Sequence, residues 1–175
     1  MFGIREKILV VDDNKDICEA ILMAFEGDLD KECFLAANGK EALQILEQFD
    51  IQVVITDLNM PEMGGLEFIK KMREQKIEST VIVISGEKKS KEFKELLPLG
   101  VTQFFEKPFQ MESLLETTQA ELNKKVVKEV ESALLSQMAK GRGYDFEYAD
   151  LNDEKKVKFL LSFVSRDISD EDEAA

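Results

Sequence analysis

Residues 51–66 read IQVVITDLNMPEMGGL, and the first half of that stretch restricts the fold more than any other part of the chain. It is a short, near-continuous apolar run rich in β-branched residues, the pattern of a strand buried on both faces. The run stops at Thr56-Asp57; a loop with Pro61 and the pair Gly64-Gly65 then leads into a helical pattern. An acid directly after such a strand is expected at the strand's carboxyl end, the edge of an open α/β sheet where ligands gather.

The same unit recurs along the chain. Residues 7–11 (KILVV) predict a strand ending in Asp12-Asp13, and Asp13 or Asn14 can cap the next helix. That helix has Ile17, Ile21, Leu22 and Phe25 as its apolar stripe and Gly27 as its close. Residues 32–37 predict a second strand, Asn38-Gly39 a turn, and residues 40–49 a helix with Ala42, Leu43, Ile45 and Leu46 turned inward. After the strand at 52–56 and the Asp57 loop, a helix is expected from Gly65 to about Arg73, carrying Leu66, Phe68, Ile69 and Met72. Residues 80–84 (TVIVI) predict another buried strand ending in Ser85-Gly86. Residues 88–97 are only weakly helical, with Phe93, Leu96 and Leu97 as anchors, and residues 101–105 predict a fifth strand before Glu106-Lys107-Pro108-Phe109. Such β/α alternation argues for a doubly wound α/β domain with parallel strands and right-handed crossovers. Parallel strands would bring Asp12, Asp13, Asp57, Ser85 and Lys107 to one edge.

Three carboxylates converging on one point repel each other unless a cation sits among them. Hard oxygen ligands with room for water suit Mg²⁺. A lysine and a hydroxyl beside such a metal suit an incoming phosphoryl group, whose oxygens they would neutralise and hydrogen-bond. Asp57 would then be a carboxylate nucleophile forming an acyl phosphate. Each signal alone has an ordinary reading: Asp12-Asp13 as a helix cap, Ser85-Gly86 as a turn, Lys107 as a solvated lysine, Asp57 as an Asx-turn. Their joint placing at four strand ends favours the chemical reading.

Composition removes several other classes. With 44% hydrophobic and 34% charged residues, the chain has a soluble globular profile, and its apolar runs are too short for a membrane span. The opening MFGIREKILVVDD enters a strand without a cleavage-site pattern, so a cytoplasmic protein is expected. A net charge of −13 would repel a phosphate backbone and argues against nucleic-acid binding. With no histidine, a Ser-His-Asp or Cys-His hydrolase is ruled out and a zinc site close to excluded. Cys18 and Cys33 fit a reducing compartment as small core residues.

Residues 1–123 resemble the receiver domain of two-component response regulators, the chemotaxis type in particular. The resemblance lies in ILVVDDN at 8–14, VVITDLNMPEMGGLE at 53–67, VIVISG at 81–86 and FFEKPF at 104–109. It implies a five-stranded, parallel, flavodoxin-like sheet in the order 2-1-3-4-5. It implies that Asp57 is the phosphoacceptor, with Mg²⁺ held by Asp12, Asp13, Asp57 and the backbone carbonyl of Asn59. Ser85 takes the switch-hydroxyl position, Phe104 the switch-aromatic position, and Lys107 that of the phosphoryl-contacting lysine, joined to Pro108 by a cis bond. Asn59 and Glu87 fall where the family tunes dephosphorylation. The implied partner is a sensor histidine kinase or phosphotransfer protein. No enzymatic activity is implied beyond self-phosphorylation and autodephosphorylation at Asp57.

Residues 124–175 extend past that domain. From Met111 to Ala139 there is no Pro or Gly and good helix formers dominate, so a single helix of about 40 Å is expected at 1.5 Å per residue. Leu115, Leu122, Val126, Val130, Ala133 or Leu134, and Gln137 or Met138 trace a stripe along it. That stripe needs a cover. One candidate is a matching helix in a coiled-coil homodimer through 111–139. The other is the chain's own helix at 151–165, where Val157, Leu160, Leu161 and Val164 share a face that Phe159 and Phe163 widen. Gly141-Arg142-Gly143 reads as a hinge, residues 144–150 as a loop and 170–173 as a disordered acidic tail. The extension is too small for a DNA-binding output domain and reads as a helical interaction or dimerisation module. The expected output is a phosphorylation-dependent contact with an unknown downstream protein. The alternative is a receiver-fold scaffold or dimerisation module whose output depends little on phosphorylation.

Overall fold

Five parallel strands form one sheet in the order β2-β1-β3-β4-β5. They are β1 (Glu6–Val11), β2 (Lys31–Ala36), β3 (Val53–Asp57), β4 (Thr80–Ser85) and β5 (Gln103–Glu106). The helices are α1 (Lys15–Phe25), α2 (Gly39–Gln48), α3 (Gly65–Glu74), α4 (Met111–Gly141) and α5 (Asp153–Glu171). Residues 94–96 are also helical and lead into a 3₁₀ turn at Leu97–Leu99. The structure, a computed structural model, describes residues 5–25, 31–86, 94–101 and 103–171, with 163–171 described by backbone alone. The expected helix close at Gly27 and most of the weakly helical segment 88–97 lie outside the described residues.

Alternation along the strands builds a core on each face of the sheet, as the two-residue side-chain period requires. Leu9, Val11, Val54, Val81 and Val83 face one way and pack with Phe68, Ile69 and Met72 of α3 and Ala42 of α2. Ile8, Val10, Val53, Ile55, Ile82 and Ile84 face the other way and pack with Cys18, Ile21 and Phe25 of α1 and with Leu114 and Leu122 of α4. Strand β3, between β1 and β4, is buried at every position. Helices on both faces therefore follow from strands that are apolar at every residue rather than at every second one.

Element ends differ from the sequence reading in ways the caps explain. Helix α1 is capped by Asn14 rather than Asp13: its Oδ1 accepts from the N–H groups of Asp16 (3.0 Å) and Ile17 (3.4 Å). Strand β3 includes Asp57 and β4 includes Ser85. Helix α4 ends at Gly141, and in the turn that follows Gly143, with a φ of 81°, takes the chain into the left-handed region. Helix α5 starts after Asn152, which accepts from Lys155 N–H at 2.9 Å, and continues to Glu171. The expected disordered tail is thus corrected in part: residues 170 and 171 are helical, since nothing between Asn152 and Glu171 is Gly or Pro.

The chain divides into two compact units between Lys124 and Lys125, a point inside α4. In the second unit, Phe159 of α5 is buried among Tyr144, Phe146 and Tyr148, with ring centroids 5.3–6.0 Å apart. Ser136 and Ala139 of α4 are buried as well, and the Ser136 hydroxyl accepts from the Tyr148 N–H at 2.7 Å. Lys140 pairs with Glu147, and that contact raises the lysine pKa and lowers the carboxylate's. No helix among the described residues is long and apolar enough to cross a membrane.

Candidate functional site

Register builds the site. Val11 pairs with Thr56, so Asp12 lies level with Asp57 on the adjoining strand. Strands β1 and β3 flank the point where strand order reverses, and there the carboxyl ends of the strands open a crevice. Asp12 and Asp57 are buried, at 1% and 6% exposure, while Asp13 is exposed at the same edge. Each of the three offers one carboxylate oxygen, and these oxygens lie within 4.8 Å of one another.

Lys107 follows β5 and reaches into this cluster. Its ammonium donates to Asp12 Oδ2 and to Asp57 Oδ2, both at 2.6 Å. Burial by itself pushes the lysine pKa down. The hydrogen bonds and charges of Asp12 and Asp57 outweigh that, and the net shift is upward, so Lys107 stays a cation. The second oxygen of Asp57 accepts from the N–H groups of Leu58 (2.6 Å) and Asn59 (3.2 Å). Asp12 Oδ1 accepts from Asn14 N–H at 2.9 Å. Both buried carboxylates are therefore aimed by backbone amides on one side and by one ammonium on the other.

The remaining candidates lie close by in the chain but in different roles. Ser85 ends β4 on the strand next to Asp57, is buried, and accepts the Lys107 N–H on its carbonyl at 2.8 Å. The Lys107–Pro108 bond is cis. Phe104 is half-buried on β5 opposite Val83 and packs against the core face that Val83 shares with α3. Asn59 is exposed in the loop after Asp57. Glu87 lies outside the described residues.

Two neighbours escaped the sequence reading. Gly65, at the start of α3, has space for no side chain: a Cβ there would lie 2.1 Å from the Asp57 carbonyl oxygen and 2.9 Å from Leu58 Cα. The Gly-Gly pair in the loop is the available signal, though in the sequence it reads only as a helix start. Cys18 donates its thiol to the Asp12 carbonyl at 3.3 Å. Burial first, then the Asp12 charge, pushes its pKa up to about 11, so this thiol remains protonated and unreactive at neutral pH. Neither Cys18 nor Cys33 forms a disulfide.

The donor set fits a hard divalent ion. All three candidate ligands are carboxylates, Asp57 at the end of β3, Asp12 directly after β1 and Asp13 at the exposed rim, and among the described residues no sulfur or imidazole belongs to the cluster. Asp12, Asp13 and Asp57 are the residues that could hold Mg²⁺.

Comparison with known proteins agrees with this arrangement. Residues 8–119 match the family model of the response regulator receiver domain. Over 112 residues the chain is 43% identical to the transcriptional regulatory protein FlgR of Helicobacter pylori, covering 63% of this chain and 28% of that protein. It is 32% identical over 111 residues to the response regulator SaeR of Staphylococcus epidermidis, covering 63% of this chain and 48% of SaeR. The chain thus spans less than half the length of these relatives. Among solved structures, chemotaxis protein CheY4 of Vibrio cholerae superposes with a TM-score of 0.61 at 32% identity, over 66% of this chain and 98% of CheY4. By its sheet order, its cluster of three carboxylates and the match over residues 8–119, this chain belongs to the response regulator receiver domain family.

Proposed function

We propose that this chain is a two-component response regulator that accepts a phosphoryl group on Asp57 from a histidine kinase or phosphotransfer protein. The observation that supports this most is the Lys107 ammonium, shared at 2.6 Å between Asp57 and Asp12 beside the exposed rim acid Asp13. An oxygen of Asp57 attacks the donor's phosphorus. The P–O bond forms as the donor's P–N bond breaks, and the electron pair leaves on the imidazole nitrogen. The amides of Leu58 and Asn59 hold the carboxylate in place, and Lys107 neutralises charge on the transferred oxygens. Mg²⁺, held by Asp12, Asp13, Asp57 and the carbonyl of Asn59, would supply Lewis-acid neutralisation of the same oxygens.

In this reading the Ser85 hydroxyl turns toward the new phosphoryl group and the Phe104 ring follows, reshaping the surface near β5 for a downstream protein. Asn59 and Glu87 set the lifetime of the acyl phosphate. Residues 1–123 form the receiver and 124–175 the output module. Incubation with acetyl phosphate and Mg²⁺, read by intact-protein mass, tests the central claim. The parent protein gains one phosphoryl group and Asp57→Asn gains none; equal uptake by the variant refutes it.

A further inference from the structure

We infer that Thr56 is a positioning residue for Asp57: its hydroxyl fixes the peptide that aims the Asp57 carboxylate at an incoming phosphoryl group. The reaction named here rests on the reading of Asp57 as phosphoacceptor; the contacts do not. Thr56 is fully buried on β3, between Val11 of β1 and Val83 of β4. Val53, Val54 and Ile55 before it are apolar, as are residues 81–84 on the neighbouring strand. Valine has the shape of threonine and would fill that slot without taking a hydroxyl out of water. A hydroxyl buried there is disfavoured unless it finds a partner. The Thr56 hydroxyl has one, donating to the Asp57 carbonyl at 2.9 Å.

That carbonyl belongs to the peptide joining Asp57 to Leu58, and the same planar unit is held at its other end. Its N–H, on Leu58, donates to Asp57 Oδ1 at 2.6 Å, and the Asn59 N–H reaches the same oxygen at 3.2 Å. Rotating the peptide would carry the carbonyl off the Thr56 hydroxyl and the amide off Oδ1 together. A bond at the carbonyl end therefore keeps the amide end on the carboxylate. With Oδ1 occupied in this way, Oδ2 is the oxygen turned to Lys107, at 2.6 Å. Thr56 thus acts on the carboxylate through the backbone.

The start of helix α3 leaves this task to the hydroxyl. The Asp57 carbonyl oxygen faces Gly65, near enough that a Cβ there would lie 2.1 Å away. The Gly65 N–H nevertheless donates to the Leu58 carbonyl, one peptide further on, at 3.0 Å. Gly65 thus crowds the Asp57 carbonyl while giving its N–H to the next one, and the Thr56 hydroxyl supplies the donor. Serine or threonine at this position can make the bond, whereas valine or alanine cannot. A peptide left free to rotate lowers the share of molecules whose carboxylate is aimed for attack.

Two readouts on the full chain test this: the rate of phosphoryl uptake from acetyl phosphate at saturating Mg²⁺, timed by intact-protein mass, and the Leu58 amide proton resonance of isotope-labelled protein. Thr56→Val should slow uptake about tenfold, the factor that one neutral hydrogen bond is worth. It should also move the Leu58 resonance upfield as the bond to Oδ1 lengthens. Thr56→Ser keeps the hydroxyl and should recover both. A residue needed only for packing predicts the opposite ranking, because valine keeps the threonine methyl and serine loses it. If the valine variant loses cooperative urea unfolding, Thr56→Ala carries the test. An unmoved Leu58 resonance in the variant overturns the inference, and so does uptake at the parent's rate. If the parent itself takes up no phosphoryl group, the phosphoacceptor reading falls, and the Leu58 resonance alone decides whether Thr56 fixes the peptide.

Discussion

Replacing Gly65 by Ala should damage the site from behind, without touching any carboxylate. The added Cβ would lie 2.1 Å from the Asp57 carbonyl oxygen, 2.9 Å from Leu58 Cα and 3.0 Å from the Asp57 carbonyl carbon. All three are backbone atoms, so no rotamer change relieves the overlap; helix α3 must move away from β3 by more than 1 Å. The Gly65 N–H also donates to the Leu58 carbonyl at 3.0 Å, and that bond stretches with any such movement. Overpacking against rigid backbone costs about 3 kcal/mol and a weakened hydrogen bond about 1 kcal/mol, offset by about 1 kcal/mol gained when Ala replaces Gly in a helix. The net is about 3 kcal/mol, or a fall of about 10 °C in Tm for a domain of this size. Gly86 is the control, because a Cβ there meets nothing within 4 Å among the described residues. Gly86→Ala should stay within about 0.5 kcal/mol of the parent. Urea unfolding followed by circular dichroism measures both. If Gly65→Ala is no less stable than Gly86→Ala, the close approach of α3 to the Asp57 segment is wrong.

Two further substitutions probe charge and satisfaction. Lys107→Met removes the cation between two buried carboxylates and should cost about 2–4 kcal/mol in chelator, with Mg²⁺ restoring part of the loss in thermal melts. Because folding raises the Lys107 pKa above its ordinary 10.5, the contribution is fully present below that value and is lost as pH rises through the raised one; the parent, but not the variant, should lose this increment in alkaline urea titrations. Arg73 donates to the carbonyls of Leu99 (2.9 Å), Ile77 (2.5 Å) and Ser79 (3.1 Å), so Arg73→Met should cost about 2–3 kcal/mol in urea unfolding. Arg73→Lys should recover less than half of that, since one ammonium cannot reproduce the guanidinium fork.

The sheet was legible because its strands are apolar at consecutive positions. KILVV, VVIT and TVIVI can be little else at that length, and the polar residue ending each run marks the strand's carboxyl edge. Convergence of Asp12, Asp13, Asp57 and Lys107 then followed from parallel strands alone. Register added what periodicity cannot: Asp12 lies beside Asp57 because Val11 pairs with Thr56, a pairing set by contacts between distant parts of the chain. The contribution of Gly65 was hidden for a related reason. A glycine that starts a helix and a glycine that lets backbone approach backbone read identically in one sequence, and only the 2.1 Å separation distinguishes them.

The second unit shows where periodicity stops being informative. The spacing of Val126, Val130 and Leu134 correctly placed them on one face of α4, yet it says nothing about which way that face points. Hydrophobicity alone would turn it inward, and Ser136 and Ala139 would be the solvent side. The structure has the reverse, and the reason lies in the connection after the helix. Gly143 turns the chain back so that Tyr144, Phe146 and Tyr148 gather around Phe159. The Tyr148 N–H needs an acceptor, and the Ser136 hydroxyl supplies it at 2.7 Å, a bond no valine or leucine at that position could make. An aromatic cluster already holding the apolar burial of a small unit, together with a polar backbone group that needs a serine, selects the small-residue face of α4. The large-residue face is then surplus to the unit's own folding and available to another surface.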